Sequence, residues 1–98
     1  MVFDLSQIRD LEMVQRAEKD QHDGVCYETP AGKIFLVVHK NTIEVRTDER
    51  LKGVLCEKYE SVMESRHFGK GGIEIVLGAQ LTDEEVVDLV HLSYRLSQ

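Results

Sequence analysis

Residues 32–47 of the chain have the sequence GKIFLVVHKNTIEVRT, which predicts two neighbouring β-strands joined by a tight turn. The first segment, residues 34–38, is apolar throughout, and the second alternates so that Ile43 and Val45 share one face. The Lys-Asn dipeptide between the segments is typical of a two-residue turn. The uninterrupted apolar strand indicates a central position in a sheet, covered on both faces or partly by a second copy of the chain.

The segments on either side of this hairpin predict further strands and three helices. The expected elements are a first helix from Asp4 to about Lys19, strands at 25–27, 34–38 and 42–46, a second helix from Thr47 to about Tyr59, strands at 62–66 and 72–77, and a third helix from Thr82 to the C-terminus. Asp4, Thr47 and Thr82 are the expected N-caps. This α-β(3)-α-β(2)-α order lacks regular alternation of strands and helices. It therefore predicts the α+β class, an antiparallel sheet with helices packed on it.

The length and composition of the chain bound its organisation. Its 98 residues are 42% hydrophobic and 31% charged, which is typical of one globular domain spanning residues 1–98. No run of about 18 apolar residues is present, and the N-terminal segment carries acidic and amide side chains where a signal peptide would be basic and then apolar. These features predict a cytoplasmic protein without a membrane partner.

The cysteines and histidines lack the spacing of metal and redox motifs. Cys26 and Cys56 lie far apart without a CxxC motif, and ordinary reduced thiols are expected. The histidines are also scattered, without HxH, HxxxH or HExxH spacing, at His22, His39, His67 and His91. The sequence therefore predicts neither a metal site nor a bound cofactor.

Charge is distributed unevenly along the chain. The net charge is −6, which opposes a general affinity for the nucleic-acid polyanion. Residues 1–32 contain three basic and seven acidic side chains (−4), residues 33–70 contain eight and six (+2), and residues 71–98 contain one and five (−4). Only the middle segment is basic, so any contact with a polyanion is expected there.

The segment SRHFGKGGIEI, residues 65–75, combines a histidine, a lysine and three glycines with the start of a strand. A nucleotide-binding P-loop needs the pattern GxxxxGK[ST] ahead of a helix. Here the sequence GKGG precedes a strand and has no Ser or Thr after the lysine. The glycines instead predict a flexible hairpin tip that needs positive φ.

A catalytic site is not predicted. Ser93 and Tyr94 lie close to Asp88 and His91 in the sequence of the third helix, but these positions do not share one helix face as a nucleophile and its base must. The two hydroxyl groups are expected to form hydrogen bonds while the helix packs on the sheet. A pairing of either cysteine with a distant histidine stays open, although no pattern indicates it.

Residues 51–97 have the sequence LKGVLCEKYESVMESRHFGKGGIEIVLGAQLTDEEVVDLVHLSYRLS. They contain a predicted helix ending near Tyr59, then His67 at a strand end and Lys70 in the next turn. A further strand, an acidic capped helix and the pair Ser93-Tyr94 follow. This pattern resembles the MmcQ/YjbR-like family, and with the preceding strands the likeness covers residues 32–97. The resemblance implies the same α-β(3)-α-β(2)-α order and a fold similar to type III secretion chaperones. For some members of the family it also implies a double-wing arrangement thought to bind DNA.

Two non-enzymatic functions are predicted from these features. The first is binding of duplex DNA through a basic hairpin tip, with phosphate contacts expected from Arg66, His67, Lys70, Lys33, Lys40 and Arg46. The second is an acidic protein-interaction or chaperone-like adaptor domain, which acts as a homodimer or binds a partner segment at a sheet edge or an apolar groove. Neither function needs a small-molecule cofactor.

Overall fold

A six-stranded antiparallel sheet and two α-helices make up the protein in a computed structural model that describes residues 5–98. The elements are a 3₁₀ turn (Leu5–Ile8), β1 (Val14–Lys19), β2 (Val25–Glu28), β3 (Ile34–Val38), β4 (Thr42–Arg46), α1 (Glu49–Lys58), β5 (Val62–Ser65), β6 (Gly69–Val76) and α2 (Asp83–Leu96). The strand order across the sheet is β1-β2-β3-β4-β6-β5. The predicted α+β class is confirmed. Within the described residues, no helix has the length and apolar character needed to cross a membrane.

The first predicted helix is wrong. Residues 5–8 form only a short 3₁₀ turn, and residues 14–19 form β1, which pairs with the outer edge of β2. Asp4, its expected N-cap, lies outside the described residues. The prediction depends on the helical spacing of the apolar residues Ile8, Leu11 and Val14. Val14 is 60% exposed, so these residues do not form one buried helix face. The pairing of β1 with β2 instead satisfies backbone N–H and C=O groups of β2 that would otherwise be unpaired at the edge of the sheet.

The second helix begins one residue later than predicted. Asp48, not Thr47, is the N-cap of α1, and its Oδ1 accepts a 2.7 Å hydrogen bond from the N–H of Leu51. Thr47 instead extends the pairing of β4 with β6, because its N–H donates to the carbonyl of Gly71 at 3.0 Å. Thr47 therefore belongs to the sheet, and the next residue, Asp48, caps the helix because its side chain can accept a hydrogen bond.

The third predicted helix, α2, is confirmed and is fastened to the sheet through a hydroxyl group. Thr82 caps it in a capping box with Glu85. The buried Ser93 Oγ donates to the carbonyl of Phe35 at 2.6 Å and accepts a hydrogen bond from the N–H of Arg46 at 2.8 Å. One side chain thus joins α2 to both β3 and β4.

Tyr94 holds the same helix against the N-terminal segment. Its hydroxyl donates to the carbonyl of Glu12 at 2.7 Å, and its ring meets the ring of Phe35 edge-on with 5.0 Å between centroids. The structural role predicted for the hydroxyl groups of Ser93 and Tyr94 is therefore confirmed.

The hydrophobic core lies between the sheet and the two helices. Side chains alternate along β4, so Ile43 and Val45 face the helices while Glu44 points to the opposite face. The predicted central position of residues 34–38 is confirmed, since β3 lies between β2 and β4. Cys26 is buried and Cys56 is partly buried, and both are free thiols as predicted. The buried core members are Ile8, Tyr27, Phe35, Leu36, Ile43, Val45, Val62, Ile73, Ile75, Leu81, Val86, Val90 and Tyr94.

The face of the sheet opposite to the helices carries buried acidic side chains. Glu44 on β4 and Glu74 on β6 are cross-strand neighbours, and they are 0% and 4% exposed. The turn between β1 and β2 and the turn between β5 and β6 reach this face, where Asp20 approaches His67. Acids in this position need partners, because an unpaired buried charge is strongly destabilising.

Candidate functional site

Glu44 is a fully buried carboxylate at the centre of this polar face. Its Oε1 accepts hydrogen bonds from the Ser65 hydroxyl at 2.7 Å and from the His67 N–H at 2.8 Å, and its Oε2 lies 2.5 Å from Nε2 of His39. Burial alone would raise the pKa of Glu44, but the hydrogen bonds from its three partners together lower it. The side chain is therefore ionised, with one oxygen held by the protein and the other facing His39.

Asp20 follows β1 and supplies a second buried carboxylate to the same region. Its Oδ1 accepts hydrogen bonds from the N–H of Gly24 at 2.6 Å and from the N–H of His22 at 3.0 Å. Its Oδ2 has no hydrogen-bond partner among the described residues, although the side chain is only 1% exposed. A buried acceptor without a donor costs about 1–3 kcal/mol. A donor or cation that binds this oxygen would therefore stabilise the protein.

Asp20, His39 and Glu44 converge from the β1–β2 turn, the β3–β4 turn and strand β4. One potential ligand atom from each residue lies within 4.8 Å of the other two. His67, on the β5–β6 turn, stands beside them, with its Nδ1 3.7 Å from Oδ2 of Asp20. Carboxylate oxygens and imidazole nitrogens are the ligands of Zn²⁺, Fe²⁺ and related ions in proteins. These residues have the chemistry and the spacing to hold a metal ion.

Gly24 allows the β1–β2 turn to pack against this cluster. A Cβ atom at position 24 would lie 2.4 Å from Cγ1 of Val37, 2.6 Å from Cε1 of His39 and 3.0 Å from Oδ1 of Asp20. Favourable contacts between carbon atoms lie at about 3.5–4.0 Å, so any side chain here would displace its neighbours. Glycine therefore keeps both His39 and Asp20 in position.

Arg66, the first residue predicted to contact a polyanion, is paired within the chain. Its Nε and Nη2 donate to the two carboxylate oxygens of Glu74 at 2.9 and 2.7 Å, and the Thr42 hydroxyl donates to the same carboxylate at 2.7 Å. The hydrogen bonds to Glu74 raise the pKa of Arg66. Because the Glu74 side chain is only 6% exposed, Arg66 neutralises a buried acid.

Arg46 and His67, also predicted to bind a polyanion, pack at the base of the hairpin tip. The Nε of Arg46 donates to the carbonyl of Ile34 at 2.8 Å, and its guanidinium lies 4.8 Å from the centroid of the Phe68 ring. The His67 ring meets Phe68 edge-on at 4.8 Å. Both side chains are thus engaged in contacts that shape the turn.

The three predicted lysines are exposed, and their side chains make no hydrogen bond or ion pair with other described residues. Lys33 precedes β3 and Lys70 lies near the start of β6, which places both at one end of the sheet. Lys40 lies at the other end, because it precedes Thr42, and Thr42 pairs with Val76 at the far end of β6. The structure therefore places Lys33, Arg46 and Lys70 at one end of the sheet and Lys40 at the other.

The hairpin tip that carries Arg66 and His67 is shorter than predicted. β5 ends at Ser65 and β6 begins at Gly69, which leaves only residues 66–68 as the turn. Gly69 has a φ of +61°, which confirms the predicted positive φ at this glycine, whereas Gly71 and Gly72 do not have positive φ.

Sequence reasoning did not indicate the set formed by Asp20, His39 and Glu44. These residues come from separate elements, and no metal motif has their spacing. One usable signal is Glu44 itself, an acid between Ile43 and Val45 in a strand next to a wholly apolar one. Such an acid is expected to be buried with a partner when both faces of the sheet are covered.

No protein-family model, curated protein or solved structure matches this chain. The resemblance to the MmcQ/YjbR-like family therefore stays a prediction. The functional conclusion depends on the geometry of the site alone.

Proposed function

We propose that the protein binds a divalent transition-metal ion through Asp20, His39 and Glu44. The observation that carries the proposal is the Oδ2 atom of Asp20. This atom is buried and has no hydrogen-bond partner among residues 5–98. Its residue, Asp20, also belongs to the set of three in which each residue offers one ligand atom within 4.8 Å of the other two. A bound ion satisfies this oxygen and replaces the hydrogen bond between His39 and Glu44 with two metal bonds.

The surroundings of the two acids support this proposal. Ligands of protein-bound metals are usually oriented by hydrogen bonds from groups that do not touch the ion. Ser65 and the N–H of His67 hold one oxygen of Glu44, and the β1–β2 turn holds one oxygen of Asp20. Each carboxylate therefore has one oriented oxygen and one oxygen available to an ion.

The donor set favours Zn²⁺ or Fe²⁺ over Ca²⁺ or Mg²⁺. Imidazole nitrogen suits the transition metals, whereas Ca²⁺ and Mg²⁺ take oxygen ligands and water. Bonds to Zn²⁺ are about 2.0–2.2 Å long, which puts two tetrahedral ligands about 3.3 Å apart. Nε2 of His39 and Oε2 of Glu44, which lie 2.5 Å apart, must therefore separate to admit the ion.

A set of buried ion pairs is the alternative explanation of the same cluster. In that case a protonated His39 neutralises Glu44, and a protonated His67 neutralises Asp20. The first pair is well formed, but Nδ1 of His67 lies 3.7 Å from Oδ2 of Asp20, beyond hydrogen-bond length. Metal binding accounts for both acids, and ion pairing accounts fully only for Glu44.

Isothermal titration calorimetry with Zn²⁺ tests the proposal. The full chain, stripped of metal with a chelator, is expected to bind one ion, and Asp20→Asn is expected to weaken binding by at least about tenfold. Asp23→Asn is the matched control, an exposed acid in the same turn whose φ of 64° asparagine tolerates. Absence of saturable binding by the wild type, or an equal loss in the two variants, would contradict the proposal.

Binding of duplex DNA is the second candidate function. It is supported by Lys33 and Lys70, two exposed cations at the same end of the sheet, and by the resemblance to the MmcQ/YjbR-like family. Fluorescence anisotropy at low salt tests it, with Lys33→Ala/Lys70→Ala expected to weaken binding and reduce its salt dependence. Lys58→Ala, an exposed lysine on α1, is the control. Undetectable binding by the wild type would remove this candidate.

A further inference from the structure

A groove lies between the two α-helices, on the side of the sheet away from the metal cluster. α1 packs on β5 and β6, and α2 packs on β3 and β4, so the two helices lie side by side. The groove has a volume of about 290 Å³. Most of its lining is apolar, and the apolar residues are Val54, Leu55, Tyr59, Leu81 and Leu89.

The apolar side of α1 stays partly open along this groove. A helix that packs on a sheet usually buries its apolar stripe, but all ten residues of α1 are exposed or half-buried. Val54 is 55% exposed, and Leu55 and the adjoining Tyr59 are half-buried. An apolar side chain that entered the groove would remove this surface from water, which is favourable.

Acidic side chains surround the apolar lining. The two segments that form the groove, residues 54–59 and 81–89, contain five acidic side chains and one basic side chain (−4), and all six are exposed. The whole chain has a net charge of −6, so the remaining residues together contribute only −2. The acids are Glu57, Asp83, Glu84, Glu85 and Asp88. A local field of this sign attracts cations and repels anions.

We propose that this groove binds a basic, amphipathic segment of a partner protein. The apolar side chains of the segment lie between α1 and α2, and its Lys or Arg side chains face the acids of the two helices. Apolar grooves commonly bind amphipathic helices through anchors at i, i+3, i+4 and i+7, and complementary charges then fix the partner. The inference does not depend on the metal site, because none of the residues that line the groove belongs to the metal cluster.

A second copy of the chain is the competing occupant. Mutual repulsion between two chains of net charge −6 opposes it, and the same charge opposes nucleic acid and anionic membranes. Lys58 is the one basic residue in the two segments, and its Nζ lies 5.1 Å from the centroid of the Tyr59 ring. Because Lys58 repels a basic partner and covers an apolar ring, its removal should strengthen binding.

Fluorescence anisotropy with a labelled synthetic peptide tests the inference on the full chain. The peptide has leucines at i, i+3, i+4 and i+7 and arginines between them. Saturable binding is expected, and Val54→Ser should weaken it by at least about fivefold through loss of an apolar contact. Lys58→Ala should strengthen it by at least about twofold. Val14→Ser is the matched control, the same change at a 60% exposed valine on β1, at the opposite edge of the sheet from α1.

Several outcomes would overturn the inference. Absence of binding by the wild type is one, and an equal loss in Val54→Ser and Val14→Ser is another. Equal binding of a peptide with serines in place of the leucines would show that charge alone attracts the probe. A dimer detected by light scattering that Val54→Ser dissociates would make a second copy the occupant.

Discussion

The Nε2 atom of His39 lies 2.5 Å from Oε2 of Glu44, across the turn that joins β3 to β4. Glu44 is fully buried, and its other oxygen is already occupied by Ser65 and by the backbone of His67. Beside this pair, Asp20 presents a buried oxygen that has no hydrogen-bond partner in the described chain. His39 and Glu44 therefore belong to a larger cluster in which one buried acceptor, Oδ2 of Asp20, has no hydrogen-bond donor.

Gly24→Ala is expected to damage both the fold and the cluster. The new Cβ would approach Val37 and His39 to 2.4 and 2.6 Å, so the free energy of unfolding should fall by about 1–3 kcal/mol, as for overpacked cores. Zn²⁺ affinity should fall as well, because His39 is displaced. Urea denaturation and calorimetry of the folded variant measure the two effects.

Gly53→Ala is the matched control for that substitution. Gly53 lies inside α1, where a Cβ would meet no atom within 4 Å. Alanine is the better helix former, so this variant should be about 0.5–1 kcal/mol more stable than the wild type. A loss of stability in Gly53→Ala equal to that in Gly24→Ala would show that steric contact with His39 is not the cause.

Arg66→Ala is expected to lower stability by about 1–3 kcal/mol, because it removes two hydrogen bonds from the buried carboxylate of Glu74. The effect should lie towards the lower end, since the Arg66 side chain is 44% exposed and water can reach part of the vacated position. Lys70→Ala removes an exposed side chain that has no such partner, so it should change stability by less than about 0.5 kcal/mol. Urea denaturation followed by circular dichroism measures both variants. Equal effects would contradict the structural role of Arg66.

His91 on α2 is expected to be protonated more readily than an ordinary histidine. Its Nδ1 bonds to the carbonyl of Val87 at 2.8 Å and its Nε2 lies 3.1 Å from Oδ2 of Asp10. The carbonyl of Val87 and then Asp10 raise the pKa of His91 above its ordinary value of 6.5, while His91 lowers the pKa of Asp10. NMR titration of the imidazole should show a pKa above 6.5 that decreases in Asp10→Asn.

The pH dependence of stability follows from these directions. The stabilisation from His91 is fully present below 6.5, the value of the unfolded chain, and is lost as pH rises through the higher pKa of the folded state. The contribution of Asp10 is present above its ordinary value of 3.8 and is lost as pH falls through its lowered pKa. Asp23→Asn should leave the His91 titration unchanged. A His91 pKa below 6.5 would contradict the observed hydrogen bonds.

Local patterns in the sequence were sufficient for most of the sheet and for the last two helices. The apolar run at 34–38, the alternation around Ile43 and Val45, and the capping box at Thr82 each depend on residues close in sequence. The segment 14–19 could not be assigned in this way, because its strand forms by pairing with β2 and none of its side chains is buried. Its conformation is decided by a neighbour and not by its own periodicity.

The candidate site depends on contacts that the sequence does not encode locally. Asp20, His39 and Glu44 meet only after the β1–β2 turn and the β5–β6 turn reach the polar face of the sheet. The sequence also does not show which basic side chains have partners within the fold. Arg66 looks like a free cation in the sequence, but the cross-strand position of Glu74 provides it with a buried partner.

Anomalous X-ray diffraction from crystals of the full chain grown with Zn²⁺ tests the metal site most directly. Data collected on both sides of the zinc absorption edge should show one strong difference peak, at about 2.0–2.2 Å from Oδ2 of Asp20, Nε2 of His39 and a carboxylate oxygen of Glu44. Crystals of Asp20→Asn should lack it. An empty cluster in the wild type, or zinc bound only at exposed side chains elsewhere, would contradict the proposed function.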